Sequence, residues 1–424
     1  MILVSKTYWA GAPFRFQRPP DADVCARTLR SEDGRDVRVL YFTPRSATPP
    51  AVAVVAMHPR VDFTQHYMFP SLIAAGYGCL GATTRHPNDD TDLVHEEAIF
   101  DLAATVWWLR EQRGVRHVLL LGNSGGGSLA AFFQAQARRS PEARLATTPA
   151  GEPTRLRTAT LVPADALVLV AAHCGQGRIL GQCIDGSVTD ETDPFSTDES
   201  LDMYSPSNGF RTPPEWTEYD EAFVKRYRDA QRARVARIDE IARAHVSAAR
   251  DAAEHAGAPS FEALPLREQQ LVQRRQAFEP IMVVYRTMAS LAYVDKRIEP
   301  SERAYGSLLS PRPDLMSFKA LGFARTVTPR AWLSTWSAAS TNADLPRNLR
   351  EVTEPTVVVH AARDREIYPS DAREIFEASA ATDKTFVEIE GAEHYFEPEL
   401  GAKNAPHRDK LMEVVVGWIR ERFG

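Results

Sequence analysis

Little in this 424-residue chain points to disulfide or metal chemistry. It has four cysteines, Cys25, Cys79, Cys174 and Cys183, and no CxxC pair. So sparse a set is not a disulfide framework, and without paired cysteines a zinc site has no support. Reduced thiols in a cytoplasm are expected, although Cys174 and Cys183 are close enough in sequence to bridge if the compartment were oxidising. Long apolar runs are also missing. Stretches such as Ala51–Met57 fall far short of the ~20 residues that a membrane span needs. The opening MILVSKTYWAGAPF has no basic segment leading into a long apolar one, so a secretory signal is not expected. Nor is there an excess of positive charge: 50 Lys and Arg against 56 Asp and Glu give −6. That balance argues against a nucleic-acid partner. The expectation is a cytoplasmic protein with a small-molecule substrate, no cofactor and no metal.

What the chain does have is core material. Apolar residues make up 44% and charged residues 25%, ordinary values for a folded globular protein. At roughly 150 residues per domain, two to three domains are expected. Continuous β-branched and aliphatic runs at 51–57, 117–122, 166–173 and 356–360 read as strands buried on both faces. GYGCLGATT (76–84) and TFVEIE (385–390) read as further strands, and DVRVLYFTP (36–44) as a partly exposed one. Helical patterns separate them, at about 69–75, 94–113, 125–139, 370–380 and 407–422. This alternation predicts an α/β fold with a mostly parallel central sheet flanked by helices.

The rhythm stops between 175 and 349. That segment contains an acidic Ser/Thr-rich stretch (184–202) and a long helix at about 219–256. Two helical segments flank Pro280, at 266–278 and 281–293. Phe223, Tyr227, Val235, Ile238 and Ile241 form the long helix's apolar stripe. Its Arg226, Arg228, Arg232, Arg234 and Arg237 read as a solvated face, and its length makes a homodimer contact plausible. The division predicted is a core of 1–174 and 350–424 interrupted by a mainly helical insertion of 175–349.

LLLGNSGGGSLAAFF carries the clearest chemistry. Gly122-Asn123-Ser124-Gly125-Gly126 fits G-x-S-x-G between a buried strand and a helix, the context that gives this motif meaning. Such a turn lifts the serine Oγ clear of the sheet and points the next N–H at it from a helix N-terminus. A serine hydroxyl needs a base, and the base needs an acid to orient it. His394 follows strand 385–390, and Asp364 follows strand 356–360. His58, His66 and His360 are rival histidines, and Asp185 a rival acid.

With those residues in order, the chain resembles the α/β-hydrolase family over about 36–174 and 350–424. The resemblance implies a Ser124–His394–Asp364 triad, an oxyanion hole including the Gly125 N–H, and a cap formed by the insertion. Many members of that family have His-Gly after the third strand; this chain has His58-Pro59. Proline cannot donate, so the second donor is expected to be the Arg60 N–H, or else that of Val61. Met203, Tyr204 and Phe210, with His58 and His66, are candidate pocket residues. The insertion's aromatic and thioether side chains, which also include Trp216, Tyr219, Phe223, Met282, Tyr285, Met288 and Tyr293, suggest a bulky, largely apolar substrate. The expected activity is hydrolysis of a carboxylic ester through an acyl-enzyme, with carbon–carbon (β-diketone type), amide or lactone hydrolysis as alternatives open to the same triad. Gly125-x-Gly127-x-x-Ala130 also matches a dinucleotide-binding pattern, but the acid expected after the next strand is not evident.

Overall fold

The computed structural model describes residues 14–16, 18–46, 48–398 and 404–424. An eight-stranded sheet runs through it. Its strands are β1 (Ala22–Arg30), β2 (Asp36–Pro44), β3 (Val52–His58), β4 (Gly78–Thr83), β5 (His117–Asn123), β6 (Ala166–Val170), β9 (Thr356–Ala361) and β10 (Lys384–Ile389). The order is β1-β2-β4-β3-β5-β6-β9-β10. β2 pairs antiparallel with both neighbours, and all other pairings are parallel. The expected fold class is therefore present. Strand β1 was not foreseen, because its apolar residues are spaced too widely to stand out.

Period-two alternation in β3 explains the layering. Val52, Val54 and Ala56 face a core shared with α1 (Phe69–Ala74) and the C-terminal helix Pro406–Phe423. Ala53, Val55 and Met57 face the opposite core, built with α2 (His95–Trp107) and α3 (Gly126–Arg138). Both faces of the strand are covered, and all seven of its residues are buried, as a central parallel strand requires. The Phe14 ring meets Phe63 at a tilt and Tyr395 edge-on, and Phe16 meets Phe42 edge-on, so Phe14 and Phe16 pack on the body of the fold. Trp9 lies outside the described residues.

Between β6 and β9 the chain holds α4 (Gln176–Cys183), α5 (Glu221–Ala256), α6 (Leu266–Ala277) and a two-stranded ribbon of β7 (Met282–Val283) and β8 (Thr326–Val327). Asp220 caps α5 by accepting from Phe223 N at 2.7 Å, satisfying one of the donors a helix start leaves open. Three expectations fail here. The helix foreseen at 281–293 is ribbon and loop: its β-branched Val283 and Val284 suit an extended chain, and Thr326–Val327 supplies the partner. Ile241 faces outward at 38% exposure. Arg234 is fully buried instead of solvated; it bonds Glu191 and the carbonyls of Asp185 and Tyr285. No helix among the described residues is long and apolar enough to cross a membrane. The four cysteines are free, including Cys174 and Cys183.

Candidate active site

The turn from β5 to α3 is built by backbone contact. Ser124 takes φ 53°, a left-handed conformation that a residue with a Cβ adopts only under constraint. Its neighbours supply that constraint. A Cβ on Gly122 would stand 2.6 Å from Gly127 Cα, and one on Gly126 would stand 2.7 Å from the Met57 carbonyl oxygen. Only glycine permits this approach of β5, α3 and β3. Ser124 N donates to the Ala171 carbonyl at 3.1 Å, tying the turn to the end of β6. The result is a serine hydroxyl raised above the carboxyl ends of the central strands.

His394 and Asp364 arrive on the loops after β10 and β9. His394 Nε2 lies 3.1 Å from Ser124 Oγ, and Nδ1 lies 2.6 Å from Asp364 Oδ2. Asp364 Oδ1 accepts from Glu366 N at 2.8 Å and Ile367 N at 3.1 Å. Both side chains are almost fully buried. Burial disfavours the charge on each, but their mutual attraction and the backbone donors outweigh it. Asp364 is held below, and His394 above, its ordinary pKa. An imidazole so placed can take the serine proton while the carboxylate holds the ring's orientation and balances its charge.

The rivals lie elsewhere. Asp185 is buried against Arg286, 2.7 Å away, and accepts from Ser187 and Tyr227. His360 is buried within β9. His66 sits behind the turn. Its Nδ1 accepts from Met68 N, and its Nε2 lies 3.2 Å from Asn123 Oδ1, so it steadies the residue before Ser124 and does not line the pocket.

A cleft of about 60 Å³ opens on Ser124 and His394. His58, a candidate pocket residue, lines it together with Arg60. Met203, Tyr204 and Phe210 do not: they pack with Tyr219, Phe223, Tyr293 and Met316 in a separate core. Aromatic content identified a cluster, and the cluster satisfies itself. The wall facing the serine comes instead from Ile179, Leu308, Leu309, Leu321, Phe323 and Trp336. The Arg60 guanidinium pairs with Asp90 at 2.6 Å and lies 5.3 Å from the Trp336 ring, within cation–π range. The Arg60 backbone corrects another expectation. Its N–H and that of Val61 both donate to His58 Nδ1, at 3.1 Å each, so both are already engaged within their own loop.

Sequence reasoning also missed His173, Gln176 and Glu366, which line the cleft. Glu366 accepts from Tyr293 Oη at 2.6 Å and Leu308 N at 2.9 Å. Burial raises its pKa to about 7. Its position two residues after Asp364 was the available signal.

No family model and no curated protein sequence matches the chain. Solved structures resemble it distantly. The esterase domain from a Rhodothermus marinus protein is 13% identical with a TM-score of 0.42, over 94% of this chain and 99% of that one. DcsB in complex with its substrate analogue is 13% identical with a TM-score of 0.48, over 94% and 99%. Est1E from Butyrivibrio proteoclasticus is 11% identical with a TM-score of 0.43, over 93% and 98%. On its own sheet order, its strained serine between strand and helix, and the chain order Ser124, Asp364, His394, the molecule has the α/β-hydrolase fold.

Proposed function

We propose that this chain is a serine hydrolase that cleaves carboxylic esters of small acyl groups. The observation that carries the reading is the single line from Ser124 Oγ through His394 to Asp364, with contacts of 3.1 Å and 2.6 Å. Ser124 Oγ bonds to the acyl carbon as its proton passes to His394 Nε2. His394 then gives that proton to the departing alcohol oxygen, leaving an acyl-enzyme. Water enters the same position and loses a proton to His394 as its oxygen bonds to the acyl carbon; the bond to Ser124 Oγ then breaks, Oγ takes the proton back from His394, and the acid is released. Gly125, at the N-terminus of α3, directs its N–H toward the developing charge, where the helix dipole adds to it.

The cleft's volume of about 60 Å³ supports a small acyl group. The aromatic and thioether residues from which a bulky substrate is expected include Met203, Tyr204 and Phe210, which pack elsewhere. The segment between β6 and β9 acts as a cap through Leu308, Leu309, Leu321 and Phe323.

A p-nitrophenyl ester series from acetate to decanoate tests this, together with fluorophosphonate labelling. We expect a single adduct on Ser124 and a kcat/KM that falls as the acyl chain lengthens. An adduct on another residue, or turnover rising toward decanoate, would overturn the reading.

A further inference from the structure

The loop after β3 withholds its backbone from the serine but offers a side chain instead. Arg60 N and Val61 N donate to His58 Nδ1. A ring nitrogen that accepts an N–H carries no hydrogen of its own, so in the neutral ring the hydrogen sits on Nε2. His173 has the same arrangement, with Gly175 N donating to its Nδ1 at 3.0 Å. Burial keeps both rings neutral. It pushes the pKa of His58 well below the ordinary value and that of His173 down to about 3. Both Nε2 atoms are therefore N–H donors across the working pH range.

These donors converge. A Cβ placed on Gly125 would stand 2.7 Å from His58 Nε2, 3.0 Å from His173 Nε2 and 2.4 Å from Gln176 Nε2. Gln176 is 2% exposed. Its Oε1 is engaged by Ser128 Oγ at 2.9 Å, while its Nε2 has no hydrogen-bond partner among the described residues. All three side chains line the cleft with Ser124. Three N–H groups that close in on the Gly125 backbone and line the same cleft as Ser124 complement a single negatively charged oxygen beside Gly125, and any side chain at 125 would push them apart.

We propose that the oxyanion is held by side chains, His58 Nε2–H foremost with His173 and Gln176 beside it, together with the Gly125 N–H. The inference rests on Ser124 being the nucleophile. As Ser124 Oγ bonds to the acyl carbon and its proton moves to His394, the carbonyl π pair moves onto the oxygen facing these donors. Collapse returns the pair to the carbon–oxygen bond and expels the alcohol oxygen, which takes the proton from His394. The backbone N–H groups of Arg60 and Val61 act at one remove, by fixing the His58 tautomer.

The test compares His58→Met and His58→Gln, similar in size and differing in the N–H donor, on p-nitrophenyl acetate and its thiono analogue. Sulfur is a poor hydrogen-bond acceptor, so a lost oxyanion donor weighs mainly on the oxygen ester. We expect His58→Met to lower kcat on the oxygen ester about 10²–10³-fold with KM little changed, and His58→Gln to stay within about tenfold of the parent. The thiono ester should distinguish the two variants far less. Equal losses in both variants on both esters, or an undiminished oxygen-ester kcat in His58→Met, would overturn the proposal. If His58→Met does not fold, His173→Gln and His173→Met provide the same comparison. Ser124→Ala, measured alongside, separates the two levels: persistent turnover there would sink the triad reading itself.

Discussion

Asp364 Oδ2 stands 2.6 Å from His394 Nδ1, with neither side chain open to solvent. The carboxylate fixes which ring nitrogen bears hydrogen, leaving Nε2 free to accept from Ser124. Asp364→Asn keeps the shape but can present its amide N–H to Nδ1, reversing the tautomer. We expect kcat on p-nitrophenyl acetate to fall about 10⁴-fold, with thermal stability measured in parallel to show that the fold persists.

The strain at Ser124 separates two inactive variants. Ser124→Ala keeps a Cβ at φ 53°, whereas Ser124→Gly relieves that conformation. Both should lose nearly all turnover. Ser124→Gly should be the more stable by about 1 kcal/mol in urea unfolding. Equal stability would show that the turn is not strained.

The pH profile follows from His394. Burial alone would lower its pKa, but Asp364 raises it above the ordinary 6.5. In the proposed mechanism His394 must be unprotonated to act as base, so kcat/KM should rise with pH and inflect above 6.5. Asp364→Asn should move the inflection toward acid. An unmoved inflection would assign the titration to another group.

Glu366 makes the opposite kind of prediction, about stability. Its carboxyl titrates near 7 when folded, because of burial, against an ordinary 4.5. The folded state holds this proton more tightly, so its contribution to stability declines as pH rises from 4.5 toward 7. Between pH 5 and pH 8 the melting temperature of the parent should fall relative to that of Glu366→Gln. Parallel melting curves would contradict this.

Arg286 and Asp185 form a buried pair at 2.7 Å between the loop after α4 and the loop after β7. Arg286→Met leaves the Asp185 charge uncompensated. We expect a loss of about 3–5 kcal/mol in unfolding free energy, with residual activity per folded molecule unchanged. A loss below about 1 kcal/mol would mean that water reaches Asp185.

Much of this molecule was readable from its residues, and the reason differs from part to part. Strands β3, β5, β6 and β9 are buried on both faces, so their runs are continuous and conspicuous. Ser124 and Asp364 each follow such a strand, His394 follows the half-buried edge strand β10, and the parallel sheet brings those ends together. The Arg60 N–H was misread because its partner, His58 Nδ1, depends on a ring's rotation, which no spacing encodes. Met203, Tyr204 and Phe210 were misread because apolar character says that a side chain is buried, but not against what. The helix at 281–293 was misread because long-range pairing with Thr326–Val327 prevailed over local pattern.

The glycine contacts under the serine separate two kinds of tolerance. Gly122 and Gly126 meet backbone from α3 and β3, so the turn that carries the Ser124 oxygen is held by close main-chain contact. Leu308, Leu309, Leu321 and Phe323 shape the opposite wall from a stretch of chain that adds no strand to the large sheet. Substitutions in that wall can retune which acids and alcohols enter while the reactive oxygen stays where it is. A deep mutational scan should accordingly find a narrow intolerant window at 122–127 and, at 308–323, variants that exchange one ester preference for another.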